Sequence, residues 1–452
     1  MHLLFDPLFD RGGYAAHFSD AAWLEAMLRF EVALARAACD CGLLPEAAAQ
    51  AIEAAAEPSC FDAAALGREA ISGGNPAIPL VAALRRRVAA IDGDAARFVH
   101  FGATSQDVVD TALILCARAA WERLAGDLRR LLAALLARME THPRTLRVAR
   151  TLLQHALPTR FALELALLID ALLRHRERMA QARDRIFALQ LGGAVGTRAA
   201  FGAKAREVGE RLAAQLGLSC PLLPWHTSRD RILELAFTLA GLASLLAKMH
   251  RDVALSAQNE LGELHEPAKP ARGSSSTLPH KRNPIGATLA LAAYARMIPG
   301  VSALLAAAPQ EFARGVGGWH AEWHTVAQLF VATGHMLALA IETIAGLEVD
   351  EARMAANLEH SLGLVFAEAV RDRLAAALGY GEARRRIDEA CARVLRERRP
   401  LREVLMADPA LRPHLDESLF DPESQLVAAD LLIEETRRRA HRALAEKEKP
   451  DG

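Results

Sequence analysis

Apolar residues recur at helical spacing along nearly the whole chain, and the length of the runs changes twice. In the first hundred residues they are short. Trp23, Met27, Phe30 and Leu34 follow one another at spacings of four, three and four, predicting a helix capped by Ser19 and closed at Cys41 before Gly42. The segments LPEAAAQAIEAAA and PLVAALRRRVAAID read as further short helices bounded by Pro, Gly or Asp. From Asp107 to the Thr141-His142-Pro143 stop the pattern runs unbroken, for ~50 Å at the α-helical rise. Four more long stretches follow: Thr159 to Gln190, Arg229 to Leu264, Pro284 to Phe312, and His320 to Leu347. Beyond Asp350 the helices become short and Arg-rich, with Pro400, Pro409 and Pro413 as breaks. This predicts an all-α chain in three segments, 1–106, 107–350 and 351–452.

Five long helices with wide Ala/Leu faces cannot cover all of that apolar surface among themselves. Self-association through a larger bundle is therefore expected. Aromatic residues make up only 5% of the chain, against 52% hydrophobic overall, which suits packed helices and not sheets. The charge is nearly balanced, 54 basic against 55 acidic side chains, so no nucleic-acid partner is expected. The most apolar run, Val326 to Ile341, is interrupted by Gln328 and His335, and is read as a buried bundle helix; no membrane association is expected. MHLLFDPLFDRGG lacks the blocks of a signal peptide, and six cysteines without CxxC spacing read as reduced packing residues, so a cytoplasmic protein is expected.

Long helices need only short turns, yet four connections here are long and polar: His100 to Asp107 (HFGATSQD), Arg150 to Thr159 (RTLLQHALPT), Trp225 to Arg231 (WHTSRDR), and Glu266 to Pro284 (EPAKPARGSSSTLPHKRNP). The last holds Gly273, three consecutive serines, and His280, Lys281 and Arg282 just before Asn283-Pro284, which read as the N-cap and N1 of the next helix. Hydroxyls and positive charge at a helix N-terminus suit carboxylate chemistry, in which charge collects on an enolate-like oxygen while a nearby group moves a proton. The plainer reading is a linker with solvated basic residues. Only six of the 54 basic residues are Lys, and one of them is Lys281.

GSSSTLPHKRNP resembles the GSSxMPxKxNP signature of the fumarase/aspartase superfamily. The likeness extends to HFGATSQDVVDT, to LGGAVGT (Leu191 to Thr197), and to PWHTSRDR and GGWHAEW, which look most like the cycloisomerase branch. The resemblance implies a three-domain all-α fold whose central long helices assemble as a homotetramer, each site being built from three subunits. It also implies cofactor-free conversion of a small polycarboxylate, the lactonisation of 3-carboxy-cis,cis-muconate, in aromatic-compound catabolism. By the same resemblance Ser275 is the proton-transferring residue of a mobile loop. Lys281 and Asn283 bind a carboxylate and stabilise its aci-form. Thr104 and Ser105 hold another carboxylate, with His100 and Gln154 nearby, and Arg314 follows in the pocket.

The departures point to one branch. Amine-releasing lyases carry RTHxQ, whose histidine assists the leaving group; this chain has Leu152 in that place. Ring-opening of a lactone releases a carboxylate and needs no such acid. Leu278, Ser274 and Phe312-Ala313 also differ from the branch pattern, and the last pair is expected to retune the pocket. An adenylosuccinate- or argininosuccinate-type lyase and a non-catalytic helical tetramer are the alternatives. His155 is read either as a catalytic pocket residue or as a helix-end histidine. His226, His320 and His324 match no metal pattern, so no metal is expected. LGGAVG reads as a packing turn, and Asp107 and Asp110 as capping residues.

Overall fold

The computed structural model describes residues 4–446 other than 270–271, 275–276 and 279. Four short helices come first: α1 (Asp20–Asp40), α2 (Glu46–Ala55), α3 (Ala63–Gly73) and α4 (Ala77–Ile91). The Ser19 hydroxyl accepts the Ala22 N–H at 3.3 Å, and Gly42 takes a φ of 73° after Cys41, so both ends of α1 fall where the local pattern predicts them. The long helices are α5 (Ser105–Thr141), α6 (Phe161–Ile186), α8 (Asp230–Ser256), α9 (Ile285–Ala307) and α10 (Gly318–Ala345), with the short α7 (Ala205–Leu216) between α6 and α8. The chain then runs through α11 (Glu351–Glu359), α12 (Ala367–Leu378), α13 (Tyr380–Glu397), α14 (Leu401–Met406) and α15 (Val427–Ala445).

All five long helices form, and three of them, α6, α8 and α9, are shorter than their apolar patterns suggested. Before α6 the chain makes an antiparallel hairpin, β1 (Leu146–Thr151) with β2 (Gln154–Arg160), in place of the expected loop. After α8 a two-residue strand β3 (Leu264–His265) pairs with β4 (Glu348–Val349). The hairpin turns on Leu152 and Leu153, both left-handed at φ 51° and 65°. Tight hairpins need positive φ at both turn residues and normally use Asn or Gly. The left-handed backbone costs leucine on the order of 1 kcal/mol at each position, so local sequence carries no hint of the turn.

Contacts divide the chain into two compact units. One comprises residues 1–128, 175–247 and 289–338, and the other 129–174, 248–288 and 339–452. This partition follows packing in space, whereas the three expected segments follow chain order. In the first unit α1 packs its Met27, Phe30 and Leu34 face into the core. The second contains a separate cluster of Val370, Leu374, Ile387, Val394, Leu401 and Leu405 from α12, α13 and α14. By length and composition alone α8, α9 and α10 could each cross a membrane, which the sequence reading did not credit. About half of the apolar window of α8 and α10 is buried within the chain, but only 22% of that of α9.

Candidate active site

In the first unit the expected residues gather around the N-terminus of α5. Asp107, fully buried, does more than cap the helix. Its carboxylate accepts N–H bonds from Thr104 at 3.0 Å and from Gly192 and Gly193 at 2.9 Å, and it meets His226 Nε2 at 2.6 Å. It thereby fastens the ATSQD block to the Gly-rich turn. Gly192 is required because an added Cβ would collide with His226, and Gly193 because its φ is +68°. Asp110, a turn further along α5, ties the helix to other distant segments. Both its oxygens pair with the buried Arg229 at 2.9 and 3.0 Å, Trp319 Nε1 donates to it at 2.9 Å, and Arg229 also holds Glu322. Burial raises the pKa of Glu322 against the pull of Arg229. The capping reading holds for Asp107 through Thr104 but is incomplete, and for Asp110 it is corrected: Arg229 and Trp319, far away in the chain, define that carboxylate.

Arg314 reaches the same place, donating to Gln106 Oε1 at 3.0 Å and to the Gly193 carbonyl at 2.7 Å. Burial lowers its pKa, while Asp107 and Asp110 work the other way. Phe312, two residues earlier, is fully exposed at φ 45°. His100, at φ 65°, lies four residues before Thr104 and meets the buried Glu31 of α1 at 2.6 Å. His226 is engaged through Nε2 by Asp107 and His320 through Nε2 by the Gly74 carbonyl.

In the second unit the hairpin carries Gln154 and His155, both exposed, with His155 opposite Arg150 in register. Burial and then Arg150 lower the His155 pKa, which leaves the imidazole neutral near pH 7 and able to accept a proton. Beneath the hairpin the buried Glu263 receives Arg150 at 2.7 and 2.9 Å, Arg147 at 2.7 Å and Asn357 at 2.7 Å. Burial alone would raise Glu263; the two arginines and Asn357 outweigh it and hold the carboxyl below its usual range. The hairpin is thus bolted down by a charge the sequence did not single out.

The signature connection folds back on itself. Asn283 donates its backbone N–H and its side-chain amide, each at 3.0 Å, to the Gly273 carbonyl. Gly273 has φ +64°, and a Cβ there would strike the Asn283 carbonyl. Asn283 therefore does not cap α9. The Glu266 carboxylate does, accepting the Gly286 and Ala287 N–H groups at 3.0 and 2.7 Å while Arg272 pairs with it at 3.0 Å. The expectation that this helix N-terminus faces a substrate anion is overturned, because a protein carboxylate already occupies it. Lys281 stands apart. Lys204, Lys248 and Lys269 are each paired with a carboxylate, whereas the exposed Lys281 makes no ion pair among the described residues. Ser275 lies outside the described residues.

The structure thus brings His100, Thr104, Ser105 and Arg314 together in one unit, and sets Gln154, His155, Lys281 and Asn283 in the other. A cleft lined by His265, Glu266, Arg272, Arg282, Asn283 and Pro284 measures ≈ 20 Å³, room for a water and not for a polycarboxylate. Glu263 and Glu266, which position the second set, left no local signal. Glu31 did leave one, as an acidic residue four positions after Met27 on an apolar stripe.

Long helices joined by polar loops, with a lysine-bearing signature and buried carboxylates fastening it, define a lyase-type scaffold. Residues 11–300 match the Lyase family and residues 363–436 the adenylosuccinate lyase C-terminus, and the chain belongs to this family within the fumarase/aspartase superfamily. The 3-carboxy-cis,cis-muconate cycloisomerase of Pseudomonas aeruginosa is 45% identical over 447 residues, 98% of this chain and 96% of that protein. The crystal structure of 3-carboxy-cis,cis-muconate lactonizing enzyme from Pseudomonas putida matches with a TM-score of 0.92 at 42% identity, over 98% of this chain and 100% of that one. A nitrosuccinate lyase from Streptomyces davaonensis is 39% identical over 431 residues, 93% of this chain and 91% of that protein.

Proposed function

We propose that this protein is a cofactor-independent cycloisomerase that closes 3-carboxy-cis,cis-muconate to 4-carboxymuconolactone in the cytoplasm. The observation that carries the reading is Leu152 at the hairpin tip, within a chain 45% identical to such an enzyme from end to end. An apolar residue stands where an amine-releasing lyase needs an acid. A substrate carboxylate adds across a double bond conjugated to a second carboxylate, and the electron pair of that bond collects there as the aci-form. Lys281, with no competing carboxylate among the described residues, stabilises that charge. Ser275 delivers a proton to the α-carbon and is reprotonated from solvent, so that one proton is taken up as the attacking carboxylate becomes the lactone ester, without a cofactor. Asn283 acts chiefly by tying the loop to the Gly273 carbonyl and offers its remaining amide N–H to a substrate carboxylate. Thr104, Ser105, His100 and Arg314 bind the other carboxylates, Gln154 orients the substrate, and the neutral His155 is the second proton carrier.

The chain works as a homotetramer of three-segment subunits whose sites are shared between copies. The exposed apolar length of α9 supports this. The test is the loss of muconate absorbance with pure protein, run beside adenylosuccinate, argininosuccinate, nitrosuccinate and fumarate. Turnover of any of those without turnover of the triacid would overturn the assignment.

A further inference from the structure

Glu31 is a carboxylate in the wrong place for a packing residue. It sits beside Phe30 on the buried face of α1, 1% exposed, and one of its oxygens, Oε2, has no hydrogen-bond partner. The other lies 2.6 Å from His100 Nδ1. A buried carboxylate is strongly disfavoured unless a cation or several donors answer it, and a single short contact to an imidazole is the answer here. His100 in turn holds a left-handed backbone, φ 65°, uncommon for a residue with a side chain. Its Nε2 has no partner among the described residues, and 16% of its side chain remains exposed. One ring nitrogen is therefore fixed from behind and the other is left free, four residues before Thr104. A carboxylate set behind a histidine in this way fixes the tautomer and orientation of the ring and stabilises its charged form.

We propose that Glu31 is a positioning residue of the candidate site, holding His100 as an imidazolium that presents Nε2–H to a carboxylate of the substrate. This rests on the reading of His100 as a substrate-binding residue. Three charged groups face the ring: Glu31 from α1, Asp107 from α5 and Arg85 from α4. Burial opposes the charge, Glu31 more than restores it, Asp107 adds to it and Arg85 works against it, leaving the imidazole raised above the ordinary histidine range. Because that pKa is raised, the cation is present at low pH and is lost as pH rises through the raised value. Affinity for a polyanion falls over the same interval. Without the Glu31 charge, burial and Arg85 prevail and the ring becomes neutral near pH 7.

The experiment follows the ring nitrogens of His100 by NMR in the free protein, assigned with His100→Asn, alongside kcat and KM for the triacid between pH 5.5 and 8.5. In Glu31→Gln, which keeps the size and a hydrogen-bond acceptor, the His100 midpoint should drop from above to below 6.5. Between the two midpoints KM should rise by about tenfold with kcat little changed, and the defect should shrink as pH falls through the variant's midpoint, below which the ring is protonated in both proteins. Glu31→Asp should recover part of the shift. In a His100→Asn background Glu31→Gln should leave KM unaltered. An unmoved His100 midpoint, or a loss equal at every pH, would overturn the proposal. The ring titration requires no substrate, so a shifted midpoint in a protein inactive on the triacid counts against the assigned reaction and for the dyad.

Discussion

Replacing Glu266 tests whether the signature connection is held from within the protein. Its carboxylate accepts two N–H groups from the first turn of α9, at 2.7 and 3.0 Å, and pairs with Arg272 at 3.0 Å, all at 7% exposure. Removing the acceptor leaves the buried Gly286 and Ala287 donors unsatisfied, at ~1–3 kcal/mol each. The favourable placement of a negative charge at the helix start, ~0.3–1 kcal/mol, is lost as well. The neighbouring cleft of ≈ 20 Å³ admits a water that recovers part of the loss. The expected cost of Glu266→Ala is therefore about 3 kcal/mol, and that of Glu266→Gln, which retains one acceptor oxygen, about half of that. Read by hydrogen exchange, 3 kcal/mol corresponds to roughly 150-fold faster exchange of the Gly286 and Ala287 amides. Because Lys281 and Asn283 sit on the anchored segment, the KM for the triacid should rise in the same order, Gln before Ala. Exchange at both amides within threefold of the unsubstituted protein in Glu266→Ala would refute the reasoning and return the helix start to the solvent or the substrate.

Three further outcomes are expected. Ser275→Ala should lower kcat by about 10²–10⁴ while the oligomer mass measured by light scattering stays the same, and an unchanged rate would remove this serine from the mechanism. Glu423 is held down to about 2 by its pairing with the buried Arg160, against burial and with help from Arg144. Its stabilisation is complete above the ordinary glutamate value of 4.5 and disappears as pH falls through about 2, so the melting temperature of Glu423→Gln should change less steeply than that of the unsubstituted protein between those limits; parallel curves there would contradict it. Cys116, pushed up to about 12 by burial and Glu25, should resist a thiol reagent at pH 8 until the protein unfolds, whereas the exposed Cys60 reacts at once.

Much of this molecule is written in its local sequence. Helical periodicity needs only neighbours three and four residues apart, so the five long helices, the Ser19 cap and the Gly42 stop were all legible. The signature connection was legible too, because its chemistry is concentrated in a few consecutive residues around Lys281. Tertiary structure alone decided the rest. Leu152 and Leu153 turn a hairpin that their own preferences oppose, because Arg147 and Arg150 on its first strand are drawn to a glutamate more than a hundred positions away. Glu266 takes the helix start that local sequence assigns to Asn283-Pro284, and Asp107 serves the Gly-rich turn and His226 more than its own helix. Each of these is a buried charge with partners beyond the three- and four-residue reach of helical periodicity. Periodicity registers which face of a helix is apolar, but it carries no information about which remote group will neutralise a carboxylate once water has been excluded.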